Sequence, residues 1–146
     1  MKNTRLINPK TGTLIFGLIE IPKQSRWSTI PGGEIFLLQG RHIAVNKGYG
    51  VEHIWIAHEN EMRSAGFSSK VDVPAYVSRI IHAGAGVHCE FSQIRQDQKL
   101  TVVRSPHGTA VLELRRPRDP NEDPFYSILT AYSKNNANGT RVGTVR

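Results

Sequence analysis

The hydrophobic period of the chain becomes helical after Gly48-Tyr49-Gly50 and turns strand-like at Gly84-Ala85-Gly86, and that second change limits the fold more than any other feature. Before it, Val51, Ile54, Trp55, His58 and Met62 recur at helical spacing, predicting a helix that ends near Ala65-Gly66. A second stripe, Val73, Tyr76, Val77, Ile80 and Ile81, follows Asp72 as N-cap, with Pro74 in the first turn. After it the period falls to two. Strands are expected over 87–94, 100–104, 110–114 and 125–132, joined by short turns at 95–98 and 105–108 and by a charged loop over 115–124. Helix, helix and meander together predict an α+β domain, with two helices packed on one face of a four- to five-stranded antiparallel sheet and the other face free for a ligand.

The flanks carry weaker signals. Residues 1–33 mix short apolar runs with turn formers and suggest an irregular extension with one strand over 13–20, while the continuous apolar centre of 34–40 suggests a strand buried on both faces. The tail over 133–146, rich in Asn, Gly and Arg with only two valines, is expected to be mobile. That leaves 34–132 as the working domain, within a chain of 146 residues that suits one fold.

Nineteen Lys and Arg against twelve Asp and Glu give a formal charge of +7, which favours an anionic partner, nucleic acid first. The longest apolar run, Leu14 to Ile21, is broken by Gly17 and Glu20 and is too short to span a membrane. No apolar export signal follows Met1-Lys2-Asn3, so delivery is expected to depend on something outside the chain. The single cysteine, Cys89, has no partner for an internal disulfide, and no Cys/His spacing suits zinc, which points to a reducing compartment and no cofactor.

Three constellations carry chemistry. In the first helix His53 and His58 are five residues apart, about 500° of rotation, so the imidazoles sit about 140° apart and make a poor metal clamp. His58 lies on the apolar stripe, facing the sheet, with His53 opposite. The pair suits either a hydrogen-bonded core histidine with a surface companion or a proton-transfer group in a cleft. In the last strand Tyr126, Ile128, Thr130 and Tyr132 are expected on one face, which can be a solvent-facing side or a polar platform under a phosphate. The third is the cationic set: Lys99, Arg104, Arg115, Arg116 and Arg118 beside the sheet, with Arg63, Lys70 and Arg79 around the helices. Arg offers a planar fork suited to phosphate.

Gly50 to His58, the following Glu61-Met62-Arg63 and Gly66, the Val73-Pro74-Ala75-Tyr76-Val77 helix and the Tyr126-Ser127-Ile128-Leu129-Thr130-Ala131-Tyr132 strand resemble toxin nucleases of the barnase, EndoU, colicin and RelE superfamily. Its phage-associated and contact-dependent growth inhibition branches are the most similar, over residues 34–132. The resemblance implies a compact, metal-independent ribonuclease, commonly directed at tRNA. It also implies delivery by a larger secreted carrier into the target-cell cytoplasm and neutralisation by a cognate immunity protein, with the domain otherwise monomeric. Carried over, the catalytic roles fall on His58 or His53, on Thr130, on Tyr132 and on a basic residue, Arg63 or Lys70. Arg104, Arg115 and Tyr126 are added as substrate-binding candidates.

The chemistry follows without the family. RNA carries its own nucleophile, the 2′-hydroxyl, so cleavage needs a base for that proton, an acid for the leaving 5′-oxygen and donors for the charged phosphorane. A histidine can move the protons, and Arg, Thr130 and Tyr132 can hold the charge. The competing expectation is a non-catalytic basic RNA-binding domain in which Tyr126 and Tyr132 stack on bases; a protein-binding adaptor fits the charge and the histidines less well. An inhibitor of so basic a toxin should be acidic and should cover the cleft.

Overall fold

Both helical stripes form helices: α1 covers Gly50–Ser64 and α2 covers Val73–Ile80. The computed structural model describes residues 1–27, 30–95, 98–135 and 139–146, and of residues 90–95 and 98–100 it describes the backbone. Asp72 stands at the N-cap position of α2, but its carboxylate instead accepts from the Ser68 and Ser69 amides at 3.1 Å, capping a 3₁₀ turn at Lys70–Asp72. The first amides of α1 are satisfied from outside the helix: Val51 N–H donates to Leu38 O and Glu52 N–H to Gln39 O, both at 3.0 Å. Gly50, at φ +76°, permits that approach, because a side chain there would lie 2.3 Å from the Leu38 carbonyl oxygen.

Among the described residues the remaining elements are nine strands: β1 Gly17–Glu20, β2 Gly33–Phe36, β3 Arg41–Ala44, β4 Lys47–Tyr49, β5 Gly86–Arg95, β6 Gln98–Ser105, β7 Gly108–Arg115, β8 Phe125–Tyr132 and β9 Thr140–Val145. β5 to β8 are the expected antiparallel meander, although residues 96 and 97 of the turn expected at 95–98 lie outside the described residues.

The sheet is not the open antiparallel layer that the sequence predicts. Strands β1-β2-β8-β7-β6-β5-β9 close into a seven-stranded barrel in which β2 and β8 run parallel, while β3 and β4 form a separate hairpin. The reason lies at the two edges that a four-stranded meander leaves open. β9 pairs with the β5 edge, β2 pairs with the β8 edge, and β1 joins β2 to β9. The segment 1–33, read as an extension, thus supplies β1. Residues 140–145, expected to be mobile, form the closing strand; residues 28, 29 and 136–138 lie outside the described set.

Facing pairs in the ladder share a side, so the barrel interior can be followed from strand to strand. One inward row runs Val87, Val103, Ala110, Ala131 and another Cys89, Thr101, Leu112, Ile128, all of them buried. Ile19, Ile35, Val142 and Val145 complete the same core cluster. The helices do not share one face of a sheet. α1 packs outside, across β8, and α2 sits by the β6 and β7 ends, where Ile80 approaches Gly108.

Candidate active site

An extra residue in β8 decides what faces α1. Val111 pairs with Thr130 and Leu112 with Ile128, which leaves Leu129 unpaired as a bulge. Strict alternation would put Tyr126, Ile128, Thr130 and Tyr132 on one side. With the bulge, Tyr126 and Ile128 point into the barrel, whereas Thr130 and Tyr132 share the outer face with Ser127. Tyr126 is therefore no substrate contact: it is 1% exposed, its hydroxyl donates to Pro31 O at 2.7 Å, and burial pushes its pKa up to about 12.

α1 is kinked at the second of its histidines. His58 has φ −131° and ψ 24°, outside the helical range, so the regular 140° separation does not hold. His53, expected on the far side, is 5% exposed, and its Nδ1 lies 3.0 Å from His42 Nδ1 of β3, with the rings stacked 5.2 Å apart. Gly48 of β4 makes room for that ring; a Cβ there would sit 2.7 Å from His53 Nδ1. His58 lies against Tyr132, with ring centroids 5.5 Å apart. Its Nδ1 is 3.3 Å from Glu61 Oε1, and the other oxygen of that carboxylate accepts the Ser133 amide at 2.8 Å, tying the helix to the end of β8.

These contacts select tautomers. Glu61 accepts from Nδ1–H of His58, which leaves Nε2 as the acceptor. Two Nδ1 atoms 3.0 Å apart can hydrogen-bond only when one carries a proton and the other does not, so the His42–His53 contact pairs opposite tautomers. Burial first, then the neighbouring His42 and His58, holds the pKa of His53 below its usual 6.5. Beside these groups, Ser127 Oγ, Thr130 Oγ1 and Arg115 Nε are buried with no hydrogen-bond partner among the described residues. Native proteins keep such orphans rare, and three on adjoining β7 and β8 mark a face with unused hydrogen-bonding capacity. The Arg115 guanidinium lies 4.9 Å over the Tyr49 ring and 4.0 Å from Glu113.

The other cationic candidates lie elsewhere. Arg63 donates to Glu59 at 2.9 Å and covers Trp55, while Lys70 donates to Glu52 at 2.9 Å. Both are spent on helix-surface pairs and neither contacts the histidines. Arg104 donates to Asn135 and stands two strands from Tyr132 at the same end of the barrel, since Arg104 pairs with Thr109 and Thr109 with Tyr132. The side chain of Lys99 lies outside the described residues.

Sequence reasoning missed His42 and Glu61. The signal for His42 was the short hairpin around Asn46, a non-glycine residue at φ 60°, and Gly48. Glu61 lies three residues after His58, a spacing at which helical side chains meet. Among the described residues no group of three or more His, Cys, Asp or Glu could hold a metal ion, and no helix is long and apolar enough to cross a membrane. No protein-family model, curated protein or solved structure matches the chain at a significant level.

Proposed function

We propose that the protein is an endoribonuclease that cuts RNA by attack of the 2′-hydroxyl on the adjacent phosphodiester. The observation that carries this is the meeting of an oriented imidazole, His58 held by Glu61, with the phenol of Tyr132, from elements far apart in sequence. In this scheme Nε2 of His58 takes the 2′-hydroxyl proton, and His53, whose protonated form the bound phosphodiester favours, returns one to the leaving 5′-oxygen. The 2′-O–P bond forms as the P–5′-O bond breaks, giving a 2′,3′-cyclic phosphate. Tyr132 and Thr130 stabilise the charge that builds on the phosphorane, and Arg115, farther along the same face, binds the strand. The +7 charge of the chain draws the polyanion in.

The proposal rests on this chemistry and not on a superfamily architecture, since the closed barrel departs from the one the sequence likeness implies. A preference for tRNA, an acidic immunity protein over the His58 face, and delivery by a larger carrier belong to the same proposal. The non-catalytic RNA binder is less well supported, because one of its two stacking rings, Tyr126, is inside the barrel. Incubating the protein with total tRNA and a matched DNA in EDTA tests it. Cyclic-phosphate fragments from RNA with DNA intact are expected; RNA that is shifted on a gel but never cut, or cut only when a metal is added, would overturn it.

A further inference from the structure

The barrel end around residues 105–107 gathers cationic groups that the cleavage chemistry does not use. A cavity of about 340 Å³ there is lined by His82, His88, Arg104 and Arg141, with no carboxylate among its lining residues. Gly86 keeps it open: a Cβ would stand 3.0 Å from His88 Nε2 and 3.6 Å from Arg141 Cζ. Neither arginine joins an ion pair among the described residues, and Asn135 accepts from Arg104 Nε, leaving the rest of that fork free. Burial, then Arg104, lowers the pKa of His88, so the imidazole stays neutral beside the two guanidiniums. Paired forks without a carboxylate, over a floor lacking a side chain, match the needs of a phosphate group.

A second hollow adjoins this cavity. Pro106 lines the cavity and also lines the hollow, of about 180 Å³, together with Arg79, His107 and Ser133. Arg79 Nε donates to His107 Nδ1 at 3.3 Å, which leaves the other ring nitrogen of His107 as an N–H donor. Ser133, on the far wall, is the residue whose amide holds Glu61, and Glu61 holds His58. A line of donors thus leads from the proposed cleavage point to the two arginines.

We propose that the Arg104–Arg141 cavity binds a phosphodiester of the same RNA strand that is cut at His58, the intervening backbone passing Arg79 and His107. This rests on the ribonuclease reading, and the experiment separates the two. The double variant Arg104→Gln/Arg141→Gln is compared with the unaltered protein in two assays: cleavage of mixed dinucleotides against mixed long single-stranded RNA, and salt-dependent binding of an uncleavable 2′-O-methyl RNA strand. The ratio of long-strand to dinucleotide kcat/KM should fall roughly tenfold or more, the scale of one lost charged hydrogen bond. The slope of log affinity against log salt for the 2′-O-methyl strand should drop by about 1.4, two contacts on a single strand. Arg104→Lys/Arg141→Lys, which keeps the charge, should restore the slope. An unchanged slope, or equal losses on both substrates, overturns the subsite, as does inorganic phosphate binding as tightly as the strand. If the unaltered protein cuts no RNA while the 2′-O-methyl slope still drops in the variant, the subsite stands and the cleavage reading falls.

Discussion

If Glu61 works by holding the imidazole of His58, replacing it by glutamine must cost little, and must cost nothing once His58 is gone. The two groups are 3.3 Å apart with side-chain exposures of 21% and 42%, so water screens much of their attraction. Exposed pairs of this kind contribute about 0.2–1 kcal/mol. Applied to the transition state, that is about a 1.4- to 5-fold loss of kcat/KM for Glu61→Gln. The amide oxygen can still accept the Ser133 amide, which preserves the link to β8. His58→Ala removes proton transfer itself, about 10²- to 10⁴-fold. The assay is single-turnover cleavage of one fluorescent RNA by the two single variants and the double variant, with thermal melts to confirm folding. Two results would refute the reasoning: Glu61→Gln as damaging as His58→Ala, or the same few-fold loss persisting in the His58→Ala background, which would mean that Glu61 acts through something other than this ring.

Gly48→Ala places a Cβ 2.6 Å from Arg41 O and 2.7 Å from His53 Nδ1 at φ +146°, so urea unfolding should show a loss of about 1–3 kcal/mol; a loss below about 0.5 kcal/mol would mean the hairpin yields easily. Because the pKa of His53 is lowered, the unfolded chain takes up a proton that the native state refuses. The stability tied to His53 is complete above pH 6.5 and is lost as pH falls toward the depressed native value. The slope is at most about 1.4 kcal/mol per pH unit for this one group. His88 adds the same sign, so the check is a flatter pH profile of urea midpoints in His53→Asn than in the unaltered protein, and identical profiles would contradict it. Tyr126→Phe leaves Pro31 O without its 2.7 Å donor and should cost about 1–3 kcal/mol of stability with RNA affinity unchanged; a weaker complex from a folded variant would return Tyr126 to the binding surface.

The amino-acid sequence by itself determined the two helices, the β5 to β8 meander and the positive charge, because each is a local property: apolar spacing selects the element, and composition sets the field. It also pointed to His58 and Tyr132 as chemistry-bearing residues, which the structure brings into ring contact. Closure of the barrel was decided only by the tertiary fold. β1, β2 and β9 are four to six residues long and acquire their meaning from edges that are distant in sequence. The same holds for the Leu129 bulge, which turns Thr130 and Tyr132 outward, for the kink at His58, and for His42 arriving from a separate hairpin. Periodicity records which side chains seek burial. Register, bulges and closure depend on which backbone groups find partners across the whole chain, a condition satisfied only once every strand edge has met another.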